Sequence, residues 1–300
     1  MENTVLSPYA ERGRYLTLDQ GFNQALPPVP AHIFLAERDQ ALGPGGSAHI
    51  LCDQSAEIAA RTPSTTPLLL ASYVRLAPGQ PLTLSSGGSA EVFYVIRGAG
   101  STEWGDGERI DWQAGDAMLL PGGSQERHTA TGDGNAVLWR VTNQPQLAYE
   151  SALPPPVEAS PIKAVHYRGP EMMKALIDVR QHVMKSGMKS MAIMFGSEGS
   201  AYNRIAPSLT LALNAVPPHD HQIPHRHNSV AVSLVLRGEK AFSLVDGKRV
   251  DWSPYATFVT PAGASHTHHN ESDQDSIVLI VQDGGLYYHC RTMGFAITGE

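Results

Sequence analysis

A shift of 140 residues lays one half of this 300-residue chain on the other. It places Pro78 on Pro218, Val95 on Val235, Arg97-Gly98 on Arg237-Gly238 and Asp106-Gly107 on Asp246-Gly247. Arg109 then falls on Arg249, Asp111-Trp112 on Asp251-Trp252, Pro121 on Pro261, Gly123 on Gly263 and His128 on His268, with no gap. Turn residues, core residues and a tryptophan agree in a single register. Such self-similarity means that one structural unit is built twice.

The unit reads as β-structure. Leu68–Leu76, Val92–Ile96, Ala117–Leu120 and Ala136–Val141 are short runs rich in apolar and β-branched residues, separated by Gly and Asp turns. That pattern, with 28 glycines and 22 prolines in the chain, fits a sandwich or barrel of short strands. Residues 1 to about 45 lack periodicity, and Pro27-Pro28-Val29-Pro30 breaks any helix there, so they read as an arm that packs on something else. Pro154-Pro155-Pro156 forms a stiff linker. Glu171–Met184 then reads as one amphipathic helix between Pro170 and Gly187, with Met172, Leu176, Val179 and Val183 as its packing stripe.

A net charge of −7 argues against nucleic acid or an anionic membrane as the main partner, and no DNA-binding helix pair or basic stripe stands out. No apolar run reaches membrane-spanning length, and Met1-Glu2-Asn3-Thr4 lacks the features of a signal peptide. Cys52 and Cys290 imply no disulfide framework. A cytoplasmic protein is expected.

The 13 histidines crowd toward the C-terminal half. His219, His221, His225 and His227 fall within nine residues, and the last pair reads as feeding directly into the apolar strand from Val230 to Leu236. Residues two apart on a strand share a face, so His225 and His227 can aim at one point, with Arg226 on the opposite face. Neutral imidazole is the commonest metal ligand. The pair therefore reads as half of a metal site at the start of a strand. Ser229 and Ser233 continue its inward face, Asn214 faces the same cavity from the preceding strand, and these three are candidate substrate contacts. His219 and His221 follow Pro217-Pro218 and are set aside as turn residues, and His269 points outward.

The pattern His225-x-His227, Gly238, Pro261-x-Gly263-x-x-His266-x-x-x-Asn270 resembles the two motifs of the cupin superfamily. The resemblance implies an all-β fold of two tandem double-stranded β-helix (jelly-roll) barrels, with an N-terminal arm and an interdomain helix. The expected division is an arm at 1–64, a first cupin at 65–150, a linker and helix at 151–200, and a second cupin at 201–290. Carried over, the metal ligands are His225, His227 and His266, while the family's usual glutamate is Ala231. His268 is a candidate catalytic residue that contacts bound substrate or orients a ligand. The first copy keeps Glu91 at the glutamate position but has Ser85, Gly87 and Glu126 in place of the histidines, so a structural role is expected of it.

Three neutral imidazoles leave a divalent ion its full charge and three open octahedral positions, which suits an anionic chelating substrate plus dioxygen. Fe(II) is the expected metal, with Mn, Ni, Co or Zn able to use the same ligands. Within the cupins the chain is similar to the gentisate and 1-hydroxy-2-naphthoate ring-cleaving dioxygenases, on His225-Arg226-His227, Ala231, His266-x-His268-x-Asn270 and Gln282-Asp283. That likeness implies an Fe(II) dioxygenase acting on a small hydroxylated aromatic acid, assembled as a homo-oligomer. It departs in carrying the metal motif in its second barrel, in Tyr255 where a glycine is expected, and in Gly263-Ala264-Ser265 where aromatic residues are. The alternatives are a metal-dependent lyase, isomerase or hydrolase on a small acid or sugar, and a non-enzymatic ligand-binding bicupin.

Overall fold

The computed structural model describes residues 7–23, 25–186, 191–198 and 204–298. It is mainly β, in four sheets that make two barrels. The first barrel joins a six-stranded sheet, in the order Val165–Tyr167, Ala117–Pro121, Ala90–Arg97, Ala136–Thr142, Leu70–Leu76 and Ala48–Cys52, to a four-stranded sheet. In the second, the corresponding sheet runs Ile33–Phe34, Thr257–Thr260, Ala231–Arg237, Ser276–Gln282, Thr210–Val216 and Met191–Met194. Its opposite wall is built from Lys248–Asp251, Ala241–Val245, His266–Asn270, His225–His227 and Phe295–Ile297.

The arm is therefore divided between the barrels. Ile33 and Phe34 pair with Phe258 and Thr257 of the second, while Ala48–Cys52 extends the first. The helix spans Gly169–Ser186 and buries Met172 and Leu176, with Val179 packed beside them; the Val183 side chain and Gly187 lie outside the described residues.

The large sheets are apolar on both faces, as the near-continuous apolar runs of their central strands require. Leu211, Leu213 and Ala215 face the other barrel, together with Val232, Leu234, Leu279 and Val281, and meet Tyr73, Val92, Trp139 and Val141 in one shared core. The alternate residues point into their own barrel: Val74, Phe93 and Leu138 in the first, Val235, Val278 and Ile280 in the second. A buried polar chain crosses the seam. Trp139 Nε1 donates to Thr257 Oγ1 at 2.9 Å, Thr257 Oγ1 lies 2.8 Å from the Tyr73 hydroxyl, and that hydroxyl donates to the Tyr255 carbonyl at 2.7 Å.

Two expectations change. The repeat is not gapless: Thr102 pairs with His128, but Ser243 pairs with His268, one residue out of the 140 register. An extra residue precedes the second copy's strand, where Lys240 has φ 53°, and one is lost from its hairpin turn. Asp246 and Gly247 both have positive φ there, as a two-residue turn of the twist-matched kind requires. Nor do the histidines feed straight into the apolar strand. His225–His227 is a separate short strand in the other sheet, and the chain turns a corner before Ala231. Tyr255 has φ 61°, the left-handed conformation that explains a glycine preference at this position.

Candidate metal centre

Strand pairing assembles the centre. His225 lies opposite His266 in the ladder, and Val245 lies opposite His266 on its other side. The turn before His266 is tied to the first motif, because Gly263 N–H donates to the His227 carbonyl at 2.7 Å, with Gly263 at φ 77°. His225, His227 and His266 each offer a ring nitrogen, and the three atoms lie within 4.8 Å of one another.

Their protons are already committed. Nδ1 of His225 is 2.8 Å from the Ile223 carbonyl, that of His227 is 2.7 Å from Ser229 O, and that of His266 is 2.9 Å from Ala264 O. A carbonyl only accepts, so each Nδ1 carries hydrogen and each Nε2 keeps its lone pair. An outer hydrogen bond that fixes the tautomer is what a metal-ligating histidine needs. Burial lowers the pKa of His266 to about 3 and also lowers that of His227, so both are neutral near pH 7. The three residues fit a divalent metal.

Beside them is a cavity of about 340 Å³. Asn214, Ser229 and Ser233 line it; Asn214 and Ser233 face it from strands, as alternation predicts, while Ser229 sits in the corner between His227 and Ala231. His268 also lines it, and its Nδ1 is 2.8 Å from Ser243 Oγ; the Trp252 indole N–H donates to the same oxygen at 2.8 Å. Burial holds the His268 pKa well below its ordinary value. Sequence reasoning missed several lining residues. Thr260 and Gln282 sit on strand ends in apolar runs, and Gln282 Nε2 lies 3.3 Å from His227 Nε2. Tyr288, Met293 and Phe295 come from the C-terminal segment, where no motif signals them. Phe295 stacks on His225 with ring centroids 5.2 Å apart.

The remaining histidines lie elsewhere. His219 is exposed and 2.8 Å from Asp273, and Arg226 is exposed. His269 points away from the cavity, but it is half-buried rather than free, stacked between His221 and Phe242.

The first barrel holds a different interior. Glu91, Glu126, His128 and Arg140 are buried, and Arg140 forms an ion pair with Glu91. Arg140 occupies the repeat position of Ile280, so a guanidinium projects where the second barrel leaves space. Burial alone would raise the Glu91 pKa, but the Arg140 charge and hydrogen bond outweigh it and hold it low. Glu126 is pushed well up by burial and by Glu91, and burial takes His128 down to about 3. The residues left are one anion, one cation and two neutral groups, a poor host for a metal ion.

Comparison with known proteins agrees with this architecture. Residues 72–142 and 213–282 each match the family described as the cupin domain. A segment of 81 residues is 28% identical to the H2HPP isomerase of Bacillus subtilis, covering 27% of this chain and 34% of that protein. Over 93 residues the chain is 29% identical to a gentisate 1,2-dioxygenase of a Ralstonia species, covering 31% of this chain and 26% of the relative. The chain thus spans about a third or less of the length of these curated relatives. The solved salicylate 1,2-dioxygenase of Pseudaminobacter salicylatoxidans superposes with a TM-score of 0.74, covering 98% of this chain and 94% of that one at 16% identity, which speaks to the fold. The chain thus carries two cupin domains in tandem, one in each barrel.

Proposed function

We propose that the C-terminal barrel is the active centre of a non-haem Fe(II) dioxygenase that oxidises or ring-cleaves a small chelating substrate, a hydroxylated aromatic or related compound. The observation that carries this reading is the convergence of three ring nitrogens whose neighbouring protons are all held by backbone carbonyls. Fe(II) bound there would supply open positions for a chelator and electron transfer to dioxygen; Mn, Ni, Co or Zn fit the same ligands.

The chain's own residues divide the remaining work. His225, His227 and His266 hold three neutral lone pairs, and Ala231 adds no carboxylate, so the full charge is left for substrate. His268 positions a proton. In this reading the Ser243 hydroxyl, whose oxygen accepts from the Trp252 N–H, donates to His268 Nδ1 and leaves hydrogen on Nε2. That N–H is a fixed donor for a substrate oxygen gaining charge. Asn214, Ser229 and Ser233 contact substrate, while Ile280, Met293 and Phe295 exclude water.

Oxygen uptake by ferrous protein across a panel of hydroxylated aromatic compounds tests the reading. Uptake with one or more substrates, abolished in His225→Ala, is expected; none across the panel contradicts it. A second reading, metal-dependent isomerisation of a small acid, is favoured by the likeness to an isomerase. Turnover that persists without oxygen would select it.

The protein's partners in this reading are the small molecule and dioxygen. A homo-oligomer accounts for the arm, where Tyr15, Leu18 and Phe22 are 100%, 78% and 81% exposed, and light scattering of the purified protein would test it. Free Cys52 and Cys290 suit a cytoplasmic setting. Among the described residues, no helix is long and apolar enough to cross a membrane.

A further inference from the structure

Among the described residues, no arginine or lysine side chain lines the metal-centre cavity. The polar residues that line it, beside the histidines and Tyr288, are Asn214, Gln222, Ser229, Ser233, Thr260 and Gln282. Two of their oxygens, Asn214 Oδ1 and Thr260 Oγ1, are buried without a hydrogen-bond partner. Arg204 is stacked 3.8 Å from the centre of the ring of Tyr288, which lines the cavity, but Arg204 itself does not line it.

A carboxylate brings a full negative charge and about four lone-pair sites. A metal takes one or two of these, and protein sites that read the rest use an arginine fork or an ammonium. Here the carboxylate would meet amides and hydroxyls, and an unpaired Asn214 Oδ1 would turn its own lone pairs toward it. A neutral hydroxyl or enol suits that oxygen, because it donates.

We propose that the site selects a chelator without a carboxylate, namely a hydroxyketone, an enolisable diketone or a phenolic ketone, and that Asn214 and Thr260 read its neutral hydrogen-bonding groups. This rests on the metal-centre reading and narrows its substrate class away from acids. The ionised oxygen of such a molecule is neutralised at the metal, and nothing else in it needs a counter-charge.

A matched pair of probes tests the proposal. 2-Hydroxyacetophenone and 2-hydroxybenzoate share a ring and a phenol, and differ in methyl ketone against carboxylate. Their affinities for the Zn(II)-loaded full chain are measured by calorimetry, each divided by the probe's affinity for Zn(II) in the same buffer. The ketone is expected to be preferred roughly tenfold or more, the scale on which one misplaced polar group discriminates. Asn214→Lys, or Gln222→Lys should that variant not fold, should shrink the preference by supplying a cation. Equal or better normalised binding of the benzoate overturns the proposal; its loss in Arg204→Gln would then identify Arg204 as the carboxylate anchor. Binding of both probes that is unchanged without metal or in His225→Ala would overturn the metal-centre reading itself. Metal-dependent binding with the acid preferred overturns only the substrate class.

Discussion

His225 and His266 stand directly opposite each other on neighbouring antiparallel strands, with ring centroids 4.3 Å apart. Residues paired across a ladder hold their side chains on one face at close range, so the two halves of the site are fixed by sheet register rather than by loops. His227, two residues on, joins the same face, its ring centroid 4.8 Å from that of His266.

The Ser243 hydroxyl sits between Trp252 and His268, so its removal should free the His268 ring without touching the metal ligands. Ser243→Ala is expected to lower kcat on the order of tenfold, the effect typical of losing a partner that orients a functional imidazole. Bound metal should be unchanged, and metal analysis alongside steady-state kinetics checks both.

The two glutamates of the first barrel should respond oppositely. Glu91 is the counter-charge of Arg140, so Glu91→Gln strands a buried guanidinium and should cost about 3–5 kcal/mol in urea unfolding at pH 7.

Glu126 has a folded pKa raised above the ordinary 4.5 by burial. Its stabilising contribution is present below pH 4.5 and fades as pH rises toward the folded value, by up to about 1.4 kcal/mol per pH unit. Glu126→Gln cannot ionise. It should unfold near wild type at pH 4.5 and become progressively more stable than wild type toward pH 8.

Thr257 links the barrels through Trp139 and Tyr73. Thr257→Val keeps the shape and removes the hydroxyl, leaving the buried indole N–H without an acceptor. A loss of about 1–3 kcal/mol is expected in urea unfolding, with metal binding retained.

The repeat made the fold legible because turns and a tryptophan recur in register, and the three-histidine cluster was legible because alternation gives His225-x-His227 a single face. Asn214 and Ser233 follow from the same alternation, whereas Ser229 reaches the cavity from the corner between two strands. The one-residue slip between Lys240 and Asp246 stayed hidden because an insertion and a deletion cancel within one hairpin. Arg140 was obscured by the apolar run around it, although position 140 faces the barrel interior as Leu138 does. Tyr288, Met293 and Phe295 reach the cavity by tertiary packing of a segment with no periodic signal.

The central claim is a single metal centre, in the C-terminal barrel. Metal analysis of protein purified without chelator tests it most directly. One divalent ion per chain is expected for the wild type and for Glu126→Gln, and none for His225→Ala or His266→Ala. Two ions per chain, or a metal content unchanged by the histidine substitutions, would contradict it.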